Sequence, residues 1–214
     1  MNILLVGNGL MAKPLKEVIN KEHKIVDTLH IKHKNYKKND YIDVVVDFSH
    51  PTGINVSLKY ALLYKVPLII GTTGFSIDEI NRITCASKKI PICLDGNYSI
   101  VFNKFNKLVS LISSDPSIIN QYVIETHHQT KKDSPSGSSL KLLNNKNNIY
   151  SLRGASFFGE HEVRILFEDE QIVLRHTANN KRIFANGVLH VINKITKYSP
   201  GLYKLDDFIK EDYE

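Results

Sequence analysis

Cysteine is scarce in this sequence, with only Cys85 and Cys93 among 214 residues. The two are not spaced like the ligands of a zinc site, and the nine histidines show no metal-ligand spacing either. We therefore expect no metal. We expect both cysteines to be small packing residues that a cytosolic compartment keeps reduced.

Long apolar runs are also missing. The apolar start, Met1–Gly7, is too short for a signal peptide and lacks a basic flank, and no later run approaches a membrane-spanning length. We therefore expect a cytoplasmic protein with no membrane partner. With 42% hydrophobic residues, the chain can still bury a sizeable core in one domain or two small ones.

Acidic residues do not balance the basic ones, and the net charge is +6. Part of this excess is a lysine cluster around Tyr36, formed by Lys32, Lys34, Lys37 and Lys38. Nucleic-acid binding is therefore an alternative, but the cluster is one short segment without a known nucleic-acid motif. An enzyme with an anionic substrate and a phosphorylated cofactor also gains from a positive field, so we expect no nucleic-acid partner.

The first half of the chain alternates apolar strands with helices. Strands are predicted at 2–6, 24–29, 42–48, 66–70 and 90–94, with helices ending near 20 and lying near 53–64 and 77–88. Alternation at this spacing predicts an α/β fold with a doubly wound parallel sheet.

A glycine turn joins the first strand to the first helix. Its Gly-x-Gly-x-x-Ala pattern comprises Gly7, Asn8, Gly9, Leu10, Met11 and Ala12. In such turns the first glycine makes the tight turn, the second admits a pyrophosphate, and a small third residue lets helix and strand pack closely. The turn predicts dinucleotide binding.

Three further loops follow predicted strands, at 47–49, 71–74 and 95–99. Ligands of doubly wound sheets bind at the carboxyl ends of the strands, so these loops are expected to converge on one cofactor. Read alone, each is also an ordinary turn.

The second half is richer in strands, predicted at 121–125, 150–153, 162–168 and 171–176 after a helix at 101–113. These strands suggest an open mixed sheet. A helix near 187–197 and a tail at 200–203 are expected to return to the first domain. We therefore predict one domain from 1–99 with 182–214, and another from 100–181.

Residues 125–139 concentrate polar chemistry. We place a strand end near Thr126, so that His127 and His128 can share one pocket, and we expect Ser136 to cap a helix over 137–143. Its first amides, with Lys131, would suit a carboxylate or a phosphate. The alternative is an exposed basic loop that contains only a turn.

This segment closely resembles the signature of the dihydrodipicolinate reductase family, Glu-x-His-His-x-x-Lys-x-Asp-Ala-Pro-Ser-Gly-Thr-Ala. It differs at Ser134, Ser138 and Ser139, which replace Ala, Thr and Ala. Shorter strings at 44–49, 71–74, 97–99, 159–161 and 184–187 also agree with the family in order and spacing.

The resemblance implies a Rossmann-type dinucleotide-binding domain plus an α+β substrate-binding and tetramerisation domain, assembled as a homotetramer. It implies NAD(P)H-dependent reduction of a small dicarboxylate imine, 4-hydroxy-tetrahydrodipicolinate or dihydrodipicolinate, to tetrahydrodipicolinate. That product leads to diaminopimelate and lysine. Cofactor and substrate would meet across a cleft between the domains.

The resemblance also implies roles for single residues. His127 and Lys131 would be catalytic, with His127 as the proton donor, and His128, Gly137 and Ser138 would bind the substrate. The cofactor would contact the glycine turn, Gly71, Thr72 and Thr73, and, mostly through backbone atoms, Asp95, Gly96, Asn97 and Tyr98.

The sequence departs from the family in its cofactor turn, which is one residue shorter and has Leu10 in place of an arginine. The acidic residue expected to grip the ribose is replaced by His30, with Lys32, His33 and Lys34 after it. This favours NADPH over NADH, although Asp27 competes for the ribose role. A reductase of another imino or keto acid and a dinucleotide-binding sensor remain alternatives.

Overall fold

The computed structural model describes residues 1–30, 41–143, 145–154 and 158–210. It divides into two compact units, Met1–Ile100 with Arg182–Glu214, and Val101–Lys181. The lysine cluster around Tyr36, with His33, lies outside the described residues.

The first unit alternates strands and helices. Its elements are β1 (Asn2–Val6), α1 (Ala12–Ile19), β2 (Lys24–Leu29), β3 (Val44–Asp47), α2 (Ile54–Tyr64), β4 (Leu68–Ile70), α3 (Ile77–Ser87) and β5 (Pro91–Leu94). The second unit contains α4 (Ile100–Ile112), β6 (Asn120–His127), α5 (Gly137–Leu142), β7 (Ile149–Arg153), β8 (Gly159–Leu166) and β9 (Gln171–Ala178). The chain then adds α6 (Arg182–Ile195), β10 (Gly201–Tyr203) and α7 (Leu205–Lys210) to the first unit.

The sheet of the first unit is parallel and has the order β10-β5-β4-β3-β1-β2. The predicted doubly wound fold is confirmed. The strand order changes direction at β1, which pairs with β2 on one side and β3 on the other, and this is the switch point at which such sheets bind ligands.

Apolar strands explain why this sheet is covered on both faces. In β1, for example, Leu4 and Leu5 are fully buried on opposite faces. Residues of α1, α6 and α7 pack in the core that contains Leu5, while residues of α2 and α3 pack in the core that contains Leu4. Burial on both faces is what a parallel sheet requires.

The last part of the chain differs from the prediction in two details. The tail at 200–203 contains a strand, because Gly201–Tyr203 pairs with Pro91–Cys93. The helix expected to begin at Gly187 begins at Arg182, with Gly187 inside it. A Cβ at Gly187 would lie 1.7 Å from the Tyr98 carbonyl oxygen, so this glycine serves close packing and does not start the helix.

The second unit is a four-stranded mixed sheet in the order β7-β6-β8-β9, with β6 and β7 parallel and the other pairs antiparallel. The open mixed sheet is therefore confirmed. Residues of α4 and α5 pack on one face, around Phe102, Val123, Leu142 and Val163. The strand end expected near Thr126 is wrong, because β6 continues through His127. β8 begins at Gly159 and ends at Leu166, earlier at both ends than predicted.

Among the described helices, none has both the length and the apolar character needed to cross a bilayer.

Candidate active site

The glycine turn of the first unit directly follows β1. Gly7 has φ +114°, and a Cβ there would lie 2.2 Å from the Phe48 carbonyl oxygen, so only glycine fits. A Cβ at Gly9 would meet no atom within 4 Å, and Ala12 is buried in the core. The turn is therefore tight at Gly7 and open at Gly9, which suits the close approach of a pyrophosphate.

The loop after β3 is organised by a buried carboxylate, Asp47. Its oxygens accept hydrogen bonds from the Ser49 amide (3.0 Å), the Ser49 hydroxyl (2.7 Å), the Thr72 hydroxyl (2.8 Å) and the Ser57 hydroxyl. Burial nevertheless raises the pKa of Asp47, because it outweighs these four hydrogen bonds. The Thr72 side chain thus joins the loop after β4 to the loop after β3.

The loop after β5 is also fixed from within. The Asn97 amide donates to Asp95 (3.1 Å), and the Ser99 amide donates to the Asn97 side chain (2.9 Å). Tyr98 is 2% exposed, and its hydroxyl donates to the Ile70 carbonyl oxygen (2.9 Å). These side chains shape the loop, and Gly96 is exposed on it.

The ribose candidates lie at the end of β2. The strand ends at Leu29, as predicted, and exposed His30 follows it directly. Asp27 lies inside the strand, half-buried, with its carboxylate accepting the Thr28 amide (2.7 Å). Leu10 is 81% exposed on the glycine turn.

In the second unit, Glu125 on β6 is a fully buried carboxylate. It accepts hydrogen bonds from the Ser136 amide (3.1 Å), the Ser139 hydroxyl (2.8 Å), the Ser151 hydroxyl (2.6 Å) and Arg153 (3.0 Å). Burial acts to raise the pKa of Glu125, but these partners outweigh it and lower that pKa to about 2. Glu125 is therefore an anion at neutral pH.

His127 lies on the same face of β6 as Glu125 and is 7% exposed. Its Nδ1 lies 3.4 Å from Glu125 Oε2, and its ring lies 5.1 Å from the ring of His161 on β8. A Cβ at Gly159 would lie 2.8 Å from the His127 ring, so the glycine leaves room for the imidazole.

Burial lowers the pKa of His127 to about 4; Glu125 opposes the shift, while Lys131 and Arg153 reinforce it. Burial and the neighbouring His127 lower the pKa of His161 to about 3. Both imidazoles are therefore neutral at pH 7.

The other predicted site residues follow β6. Nδ1 of His128 lies 2.8 Å from the Thr130 hydroxyl, and its ring lies 5.6 Å from that of Phe158. Lys131 forms an ion pair with Asp133 at 2.9 Å. Because β6 continues to His127, the two histidines differ in surroundings: His127 is buried in the sheet, and His128 is half-buried in the loop.

Ser136 caps α5 as predicted, with its hydroxyl accepting the Ser139 amide (3.1 Å). A Cβ at Gly137 would meet nothing within 4 Å, so this backbone is approachable. Ser138 is half-buried in the first turn.

Sequence reasoning missed the functional environment of His127. Glu125, Ser139, Ser151, Arg153 and His161 received no role in the chemistry. Ser151 and Arg153 reach Glu125 because β6 and β7 pair in parallel, and Ser139 reaches it because the chain turns back at α5. Glu125 is also the register partner of His161 on β8. Because side chains alternate between the two faces of a strand, the sequence predicts that Glu125 and His127 share a face of β6. No local feature of the sequence indicates which residues of β7 and β8 lie opposite them.

Glu125, His127 and His161 are also the set of described residues whose ligand atoms lie within 4.8 Å of one another. The Glu125 oxygens are already engaged by four donors, one of them the Arg153 guanidinium. Competing positive charge makes this a poor cation site, and we assign no metal to it.

Comparison with known proteins covers both units. The family models described as dihydrodipicolinate reductase, N-terminus, and dihydrodipicolinate reductase, C-terminus, match residues 1–98 and 99–209. A 4-hydroxy-tetrahydrodipicolinate reductase of Brachyspira hyodysenteriae is 31% identical over 98% of this chain and 100% of its own length. One of Buchnera aphidicola is 34% identical over 82% of this chain and 75% of its own.

A solved structure of a dipicolinate-bound dihydrodipicolinate reductase from Paenisporosarcina sp. TG-14 has the same fold. It superposes with a TM-score of 0.77 at 20% identity, over 95% of this chain and 97% of that one. The matched models and the near-complete coverage of relatives above 30% identity agree with the site motif. The chain therefore belongs to the dihydrodipicolinate reductase family, a family of NAD(P)H-dependent oxidoreductases.

Proposed function

We propose that this protein is an NAD(P)H-dependent 4-hydroxy-tetrahydrodipicolinate reductase that forms tetrahydrodipicolinate for diaminopimelate and lysine biosynthesis. The observation that carries the proposal is the position of His127, a buried imidazole with Nδ1 3.4 Å from the Glu125 anion and its ring 5.1 Å from that of His161. Lys131 and the approachable start of α5 follow it in the chain. Relatives of this name match nearly the whole chain.

The dinucleotide would be held by the first unit. Gly7, Asn8, Gly9, Leu10 and Met11 suit the pyrophosphate, and the loops at 71–73 and 95–98 suit the nicotinamide and its ribose. When bound, the reduced nicotinamide supplies a hydride. The loops themselves are pre-shaped, since Asp47 and Asp95 fix them from within.

The substrate would be bound by the second unit. One carboxylate would accept hydrogen bonds from Gly137 and Ser138, and His128 would orient it. Lys131 would offset the negative charge that develops on the imine system when the ring carbon conjugated to it takes up a hydride.

The reduction also consumes a proton, which His127 would donate, with Lys131 as the second candidate donor. Since the pKa of His127 is about 4, the ring is neutral before substrate arrives. A bound dicarboxylate adds negative charge nearby and raises that pKa, so that the proton is taken up together with the substrate.

We further propose a preference for NADPH. Exposed His30 directly follows β2, where a residue contacts the adenosine ribose, and Asp27 is held inside the strand. A 2′-phosphate is better matched by an imidazole than by a carboxylate. Initial rates with NADPH and with NADH test this, and equal kcat/KM values would contradict it.

The assembly we propose is a homotetramer built on the open face of the second unit's sheet. On this face, exposed Tyr150 of β7 lies beside Tyr122 of β6, exposed Leu152 is the register partner of Thr126, and Val173 of β9 is 44% exposed. Apolar sheet faces of this kind are usually covered by a partner. Leu152→Arg should reduce the mass in light scattering. Leu111→Arg, at an exposed site on α4, is the matched control.

The activity is tested by following NADPH and NADH absorbance while a coupled synthase supplies the substrate. His127→Gln should reduce kcat by about 10²- to 10³-fold, in the range of general acid–base groups, with cofactor binding unchanged. Lys131→Ala should impair both turnover and substrate binding. Cofactor binding without turnover of this substrate would instead indicate a dinucleotide sensor or a reductase of another imino or keto acid.

A further inference from the structure

The Glu125 carboxylate lies beside His127, the proposed proton donor. Oε2 lies 3.4 Å from His127 Nδ1, and this nitrogen has no hydrogen-bond partner among the described residues. Both groups are on β6, two residues apart, so the strand itself fixes their separation.

The Glu125 carboxylate is held more firmly than the His127 imidazole. Donors from two segments converge on its two oxygens: Ser136 and Ser139 at the start of α5, and Ser151 and Arg153 on β7. A carboxylate with four donors has little freedom to rotate, and its charge is fixed in place.

We propose that Glu125 is a positioning residue, which keeps the proton of neutral His127 on Nδ1 and leaves Nε2 as the atom that exchanges a proton with the substrate. The inference rests on the proposed function for its catalytic meaning. An anion beside Nδ1 favours the tautomer with a proton there and, once the ring is protonated, stabilises the imidazolium.

Several charged groups face this ring and must be considered together. Glu125 lies on β6, Lys131 and Asp133 lie in the loop after it, Arg153 lies on β7, and His161 lies on β8. Lys131 and Arg153 disfavour the imidazolium, and Asp133 favours it, but Glu125 is the carboxylate in contact with Nδ1. His161 reaches the same network through Ser136, whose hydroxyl lies 3.3 Å from His161 Nε2.

Ser139 is a feature of this chain that supports the proposed role of Glu125. The family signature has alanine at this position, and here the Ser139 hydroxyl donates to Oε2, the oxygen that faces His127. It therefore adds a fourth donor to the carboxylate.

The tautomer can be read without substrate by magic-angle-spinning NMR of the full protein labelled with 15N-histidine. His127→Gln identifies the signals of His127 by their loss. In the wild type we expect a protonated Nδ1 and a bare Nε2 for this residue. In Glu125→Gln the proton should redistribute toward Nε2, with kcat reduced about 10²-fold and cofactor affinity unchanged.

Glu162→Gln is the matched control, since it makes the same chemical change on β8, where the carboxylate pairs with Arg164 and Arg175. It should leave the His127 tautomer unchanged. If Glu125→Gln does not fold, Glu125→Asp is the second variant. It moves the carboxylate away from His127 by one methylene and should weaken the preference of the proton for Nδ1.

A His127 tautomer that is unchanged in the Glu125 variants, or a wild-type ring protonated on Nε2, overturns the inference while leaving the reductase proposal intact. A wild-type protein that does not reduce the substrate would overturn the proposed function, and the tautomer measurement would still stand.

Discussion

Each unit contains a carboxylate buried beneath strand-end loops, but the environments of Asp47 and Glu125 act in opposite directions. Among the described residues, the donors to Asp47 are hydroxyls and one amide, and burial raises its pKa. Glu125 receives Arg153 as well as hydroxyls and an amide, and its pKa falls to about 2. At Asp47 burial outweighs the hydrogen-bond donors, whereas at Glu125 the donors, the three serines first and then Arg153, outweigh burial.

The difference between the two carboxylates agrees with what the loops around each of them do. The loops of the first unit are held by close backbone packing and by hydrogen bonds from uncharged donors to Asp47 and Asp95, and these contacts shape a surface. The cluster of the second unit fixes a charge beside the imidazole that is proposed to move a proton. One carboxylate shapes the backbone, and the other sets an electrostatic environment.

The largest effect is expected from breaking the close packing of the first unit. Gly7→Ala should lower the free energy of unfolding by about 3 kcal/mol or more, because φ is +114° and the new Cβ would clash with the Phe48 carbonyl. Gly9→Ala should leave stability within about 0.5 kcal/mol, because its Cβ meets nothing, but should weaken NADPH binding. Urea denaturation and cofactor titration separate the two, and equal destabilisation would contradict the packing account.

Neutralising each carboxylate tests the comparison directly. Glu125→Gln should lower the free energy of unfolding at pH 7 by on the order of 3 kcal/mol, because the lowered pKa of Glu125 reports a charge that the fold stabilises. Asp47→Asn should cost less, because the raised pKa of Asp47 reports a charge that burial penalises. Urea denaturation of both variants measures the difference, and a larger loss for Asp47→Asn would reverse the interpretation.

Acid should destabilise the second unit before the first. His127 and His161 have pKa values of about 4 and 3 in the fold, below the ordinary value of 6.5. Between these values the unfolded chain binds more protons, so stability falls as pH falls through this window. Glu125 adds a loss between pH 4.5 and about 2. Asp47 has the opposite sign, since its raised pKa means that stability is lost as pH rises through it.

Hydrogen exchange at pH 7 and pH 4.5, read in peptides of each unit, measures this difference. Protection in β6 and β8 should fall more than protection in β1 and β3. His161→Gln should flatten the pH dependence of the second unit. Equal loss in both units would contradict the assignment of acid sensitivity to these imidazoles.

The smallest effect is expected from single hydroxyls. Ser139→Ala removes one donor to Glu125 and should cost about 1 kcal/mol while raising the pKa of that carboxyl. Ser57→Ala removes a buried donor to Asp47 and is the matched change in the first unit. Urea denaturation should show a comparable loss for both, and a null effect of Ser139→Ala would show that the remaining three donors suffice.

The sequence predicted most of the first unit because its strands are apolar runs and its loops contain recognisable glycine turns. The strand at Gly201–Tyr203 was missed because three residues carry no periodicity, and its identity depends on pairing with Pro91–Cys93. The start of α6 was misplaced because Gly187 suggests a helix boundary, whereas it is small to accommodate the Tyr98 carbonyl.

For the candidate site, the sequence predicted the histidines, the lysine and the cap at Ser136. The chemistry around them depends on the register that brings Glu125 opposite His161 and Arg153 opposite His127. That register is a long-range property of the sheet. The preference between NADPH and NADH and the assignment of each site residue stay predictions.

The shared face of β6 has a consequence for misfolding. Val123, Glu125 and His127 lie on the same face of β6, which is the face that packs in the core of the second unit. A slip of one residue in β6 would turn the acid and the imidazole outward in the same step that exposes Val123. A copy with β6 in the slipped register would therefore lose the contact between Glu125 and His127 and part of its core packing in a single event.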